Sequence, residues 1–118
     1  MNLIRKIPRP AKRSSRWRSK AHENHVKSHE CVSCTSQADI EGAHVRIGSH
    51  TGLGQKPHDW LMVPLCARCH RTLPDAQHND GEVSFWRKLG KDPFAIIEAL
   101  IATSPKRAEI MIERAVRL

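Results

Sequence analysis

The sequence predicts a small α+β fold: a β-hairpin core with C-terminal helices, preceded by a basic arm. Three observations carry this. Two CxxC knuckles, Cys31–Cys34 and Cys66–Cys69, stand 31 residues apart. Two short apolar runs lie between them, on either side of a Gly-rich stretch. Helix start and stop signals then crowd the last third of the chain.

The elements follow in order. Residues 1–16 read as a flexible arm and residues 17–118 as one domain. Pro8 and Pro10 disfavour a helix, and residues 2–20 carry eight Lys and Arg. Trp17 is the arm's aromatic neighbour, suited to anchoring it on the domain. Residues 17–29 suit a short helix with Ser19 as its cap. His22, His25 and His29 then share one face, either as a polar, half-buried stripe or as a metal stripe. Residues 38–47 read as a strand, residues 48–59 as a Gly-rich loop, and Trp60–Leu65 as the second strand of a hairpin. The second knuckle opens a helix that Pro74 ends early. Residues 82–89 form a helix stopped by Gly90. Asp92 and Pro93 start the next, with Phe94, Ile97, Leu100 and Ile101 as its apolar stripe. Ser104 and Pro105 start the last, which carries Ile110, Ile112 and Val116. Phe85 and Trp86 read as core.

Composition bounds the function. The chain has 118 residues, a net charge of +8, no Tyr and five aromatic residues. No apolar run is long enough to span a bilayer, and no signal-peptide core follows the N-terminus. A reducing cytoplasm is the expected compartment, and four cysteines there read as metal ligands before disulfides. Paired knuckles predict a closed, four-thiolate structural zinc site at Cys31, Cys34, Cys66 and Cys69. The charge is lopsided: residues 1–30 carry nine Lys and Arg against two Glu, and the rest is nearly neutral. A basic arm on a neutral domain is expected to pair with nucleic acid.

Zinc does not account for His44, His70 and His78. His44 lies in the first strand, His70 follows the last thiolate directly, and His78 lies past Pro74. The second knuckle brings His70 to the start of a helix beside the hairpin. That layout suits a second, open metal site with a nearby base, the two parts that phosphodiester cleavage needs.

The ordered run Gly42-Ala43-His44-Val45-Arg46, then Gly54 to Asp59, then Val63 to His70, resembles the HNH (ββα-metal) nucleases of phages and prophages. It is also similar to phage recombination-enhancement nucleases that work with a RecA filament. The resemblance spans about residues 17–102. It implies a zinc-stapled ββα-metal core that cuts DNA in the cytoplasm of a bacterial host cell. Carried over, His44 is the general base, His70 a metal ligand and His78 a second ligand. Asp59 either holds the base or touches the metal. The implied catalytic ion is divalent: Mg²⁺, Mn²⁺, Zn²⁺ or Ni²⁺. Lys56 and Arg46 are the phosphate contacts beside the site. Arg5, Lys6, Arg9, Lys12, Arg13, Arg16 and Arg18 supply sequence-independent DNA affinity from the arm. A recombinase filament is the further implied partner.

Two positions depart from the family. Ala43 stands where many relatives place a metal-binding Asp or His, and Leu61 stands where they place the middle Asn. Asp59 replaces that Asn, His44 itself binds metal, or the protein is a non-catalytic zinc-dependent DNA-binding or recombinase-accessory protein.

Overall fold

The computed structural model describes residues 16–48 and 56–117. Among them it is a small α+β structure with a two-stranded sheet and five α-helices. Helix α1 (Lys20–Lys27) starts where the Ser19 hydroxyl accepts from the His22 amide, satisfying one of the helix's orphan donors. Strand β1 (Ile40–His44) pairs antiparallel with β2 (Met62–Cys66), with Ile40 opposite Cys66 and His44 opposite Met62. The hairpin therefore runs from one end at the cysteines to the other end at His44.

β2 is buried along its whole length, whereas β1 is only partly covered. Each fully buried Met, Val or Leu contributes about 1.5–3 kcal/mol, so Met62, Val63 and Leu65 anchor the hairpin to the core. Helices α1 and α4 (Pro93–Ala102) pack on this strand. Ala43 on β1 and Val45 just after it join Trp60, Val63, Leu65, Phe85, Trp86, Ile97, Ile101 and Ile110 in one cluster.

After β2 the second knuckle continues into a single π-helical turn, Arg68–Thr72, shorter than a full helix. Leu73 turns extended ahead of Pro74, as a residue before proline must when the ring excludes the helical region. A four-residue α2 (Gln77–Asp80) carries His78 back beside this turn. Helix α3 (Glu82–Leu89) ends on Gly90 at φ 70°, a left-handed cap that favours glycine. Helix α4 is capped by Asp92, whose carboxylate accepts from the Phe94 amide.

Helix α5 (Arg107–Val116) carries the three apolar residues expected on it but buries only one of them. Ile110 is fully buried, but Ile112 and Val116 face outward, 63 % and 56 % exposed. Phe94, assigned to the buried stripe of α4, is also exposed. Only one side of these helices meets the hairpin, and the sequence holds more apolar residues than that side accommodates. Trp17 is buried, and its indole donates to Glu109 of α5. Among the described residues no helix is long and apolar enough to cross a membrane.

Candidate metal centre and histidine cleft

The two knuckles meet at the cysteine end of the hairpin. The sulfurs of Cys31, Cys34, Cys66 and Cys69 all lie within 4.8 Å of one another, and Cys34 Sγ is 3.6 Å from Cys66 Sγ. Four thiolates at about 2.3 Å from a tetrahedral ion stand roughly 3.8 Å apart, so the set fits a structural metal such as zinc. The knuckle geometry is pre-formed. Thr35 takes φ 63°, and the Cys34 amide points at Cys31 Sγ. Burial pushes the Cys69 thiol up to about 12. A cation among the sulfurs is what would favour its thiolate form.

The other end of β1 opens on a separate cleft of about 590 Å³, lined among others by Glu23, His44, Arg46, Lys56, His70 and His78. The fold thus brings all three histidines singled out in the sequence to one cleft. His70 and His78 form a close edge-to-face pair with ring centroids 4.3 Å apart. His70 Nδ1 lies 2.8 Å from Glu41 Oε1. A carboxylate accepts, so Nδ1 carries the proton and Nε2 keeps its lone pair. Arg71 grips the same carboxylate through Nε and NH2. The Arg71 guanidinium, opposed by desolvation and helped by His70, holds the Glu41 carboxyl at about 2. Burial pulls His70 below its ordinary value, against the pull of Glu41.

His44 is fixed from behind the cleft. Its Nε2 lies 3.0 Å from Oδ1 of Asp59, which is only 5 % exposed. Asp59 Oδ2 accepts from the Ser19 amide at 2.9 Å, and Oδ1 also accepts from Arg16 at 2.6 Å. Burial pushes Asp59 up, but the His44 contact, the Ser19 amide and the Arg16 charge outweigh it and leave the carboxyl below its usual range. Asp59, not Leu61, is therefore the residue that reaches His44; Leu61 packs against the core. Ala43 is fully buried in that core, so no ligand at its position would face the cleft.

The remaining sequence assignments fall as follows. Arg16, counted with the arm, is fixed to Asp59 and to the Pro57 carbonyl. Arg18 is exposed, and Lys56 is exposed on the cleft rim. Arg46 lines the cleft and its amide donates to Glu82. Arg5, Lys6, Arg9, Lys12 and Arg13 lie outside the described residues. On α1, His22 is buried against Ser104 and His25 is half-buried, while the helix ends at Lys27 and leaves His29 exposed beyond it. Among the described residues, the four cysteines are the one group of three or more candidate ligands close enough to share an ion.

Three contributors escaped the sequence reading. Glu41 meets His70 across 29 positions. Glu82 caps the backbone amides of Arg46 and Ile47. Gln77 is buried beneath His44, its amide 3.5 Å from the His44 carbonyl. No local spacing announces any of them, because each partner is distant in sequence.

No curated protein and no solved structure matches the chain. A family model matches residues 6–103, most of its length, and on that match the chain belongs to the family described as "Protein of unknown function (DUF968)".

Proposed function

We propose that this protein is a zinc-stapled, metal-dependent DNA endonuclease of the HNH type. The observation that supports it best is the pairing of His44 with the buried Asp59 behind a cleft that also holds the His70–His78 pair. Donation from Nε2 to Asp59 leaves His44 Nδ1 unprotonated and able to take a proton from water. The water oxygen then attacks phosphorus, the bond from phosphorus to the leaving sugar oxygen breaks, and that oxygen takes up a proton. Lys56 and Arg46 line the same cleft with positive charge for the phosphate. A divalent ion on His70 and His78 would supply electrostatic stabilisation of the phosphoryl and leaving oxygens. Glu41 presets the His70 ring for that task. Zinc in the cysteine set would hold the knuckle on which His70 sits.

The test is plasmid nicking by the full chain in Mg²⁺, Mn²⁺, Zn²⁺ and Ni²⁺, beside His44→Ala. Expected is nicking by the wild type, reduced by about 10²-fold or more in the variant, with folding and DNA binding unchanged. No nicking by either protein in any metal overturns the proposal. A second reading, a non-catalytic zinc-dependent DNA-binding or recombinase-accessory protein, is favoured by one observation. The histidine cleft lacks a third close ligand among the described residues. DNA binding by both proteins without cleavage would select it.

A further inference from the structure

We infer that Arg16 is a positioning residue for His44, acting through Asp59, and not one of the chain's phosphate contacts. The inference rests on the endonuclease reading for its kinetic consequence, but its geometry stands apart from that reading.

Arg16 follows a run of five Lys and Arg in residues 1–15, and by composition alone belongs with them. Its guanidinium is otherwise engaged. Nε donates to the Pro57 carbonyl at 2.8 Å, and NH2 donates to Asp59 Oδ1 at 2.6 Å. The same NH2 lies 3.2 Å from His44 Nε2. Arg16, His44 and Asp59 thus meet at one carboxylate oxygen, with the Asp59 side chain 8 % exposed and that of Arg16 27 % exposed.

Two tautomers compete at this point: His44 Nε2 either donates to Asp59 Oδ1 at 3.0 Å or accepts from Arg16 at 3.2 Å. A guanidinium only donates, and an ionised carboxylate only accepts. Oδ1 can accept from both Arg16 and the His44 Nε2–H, whereas His44 Nε2 as an acceptor would leave two acceptors facing each other across 3.0 Å. Arg16 NH2 already donates to Oδ1 at 2.6 Å, and the ionised carboxylate is the nearer partner of the ring, so the histidine proton is placed on Nε2 and Nδ1 is left bare.

Asp59 can impose this only while its carboxylate is held against the ring. Ser19 fixes Oδ2 and Arg16 fixes Oδ1, and the Pro57 carbonyl fixes Arg16 in turn. Without Arg16, Oδ1 keeps only the His44 ring as a partner, and the ring and carboxylate can shift together. A Lys at this position keeps the charge but cannot bridge a carbonyl and a carboxylate with one planar group.

The test uses the full, metal-loaded chain labelled with ¹⁵N-histidine, with Arg16→Met and Arg16→Lys beside the wild type. Two-bond ¹H–¹⁵N spectra report each ring's tautomer, and a His44→Gln spectrum assigns the signal. Expected is an Nε2–H ring at His44 in the wild type and a mixture of tautomers in both variants. In nicking assays kcat falls by about 10²-fold, while KM and the salt dependence of DNA binding stay unchanged. If Arg16→Met does not fold, Arg16→Lys carries the same test. Unchanged His44 signals in the variants overturn the inference. So does a raised KM with a salt slope lower by about one ion, the signature of a lost phosphate contact. If no protein nicks DNA, the endonuclease reading falls, and the tautomer spectra alone decide the role of Arg16.

Discussion

Glu41 Oε1 and His70 Nδ1 lie 2.8 Å apart, joining the middle of β1 to the residue that directly follows the last cysteine. The carboxylate is itself clamped by Arg71, so the His70 ring is held in one orientation and one tautomer.

On the endonuclease reading proposed above, that pairing would make metal affinity in the cleft sensitive to a residue that need not touch the ion. Glu41→Gln is expected to weaken binding of Mn²⁺, Ni²⁺ or Zn²⁺ in the cleft by roughly 10–100-fold. Titration calorimetry of the zinc-loaded chain measures this. Metal in the cysteine set, counted by elemental analysis, should stay unchanged.

The cysteine set should behave as part of the fold. One tightly held metal per chain is expected, and Cys66→Ser should lose both the metal and the cooperative melt. Structural sites of this kind couple binding to folding. Near-ultraviolet circular dichroism from the buried Trp17, Trp60 and Trp86 reports the loss.

Gly42 is expected to resist substitution. A Cβ there would clash with Met62 Sδ, and Met62 is fully buried with Val26 and Leu100. Gly42→Ala should cost about 1–3 kcal/mol by overpacking. Urea unfolding measures it, and the cost of Gly42→Ala should shrink when measured in a Met62→Ala background if the clash is the cause.

His22 gives a pH signature. It is fully buried against Ser104, and burial lowers its pKa from the ordinary 6.5, with His25 adding to the effect and Asp59 opposing it. The unfolded chain therefore binds a proton near 6.5 that the folded chain refuses until lower pH. This contribution is complete above 6.5 and declines as pH falls below it. His22→Asn retains a group for Ser104 but does not titrate. Between pH 7.5 and 6.0 the wild type should lose about 1 kcal/mol or less beyond what the variant loses. Equal slopes in urea melts would refute the assignment.

Local signals carried the fold because they are short in range. The Ser19 and Asp92 caps, the Gly90 stop and the extended residue before Pro74 each depend on neighbours within a few positions. The paired knuckles announced the cysteine cluster for the same reason, since each turn is set by its own four residues. The cleft was legible only as a list of histidines. The Asp59 contact to His44 was among the alternatives the sequence left open, whereas the Glu41 contact to His70 was not. Glu41 reads as an ordinary strand carboxylate until the hairpin register is fixed. Arg16 reads as one more arm cation until Pro57 and Asp59 are seen on either side of its guanidinium. Which of Ile110, Ile112 and Val116 is covered was not legible, because an apolar side chain on a helix does not say whether a partner meets it.

Cys69 and His70 are consecutive, so one peptide bond joins the thiolate cluster to the cleft. A chelator strong enough to strip the first would also let go of the backbone that aims the second. If the proposed endonuclease activity is found, apparent inhibition by such an agent would measure collapse of the scaffold, and competition between ions at constant zinc is the cleaner test of the cleft.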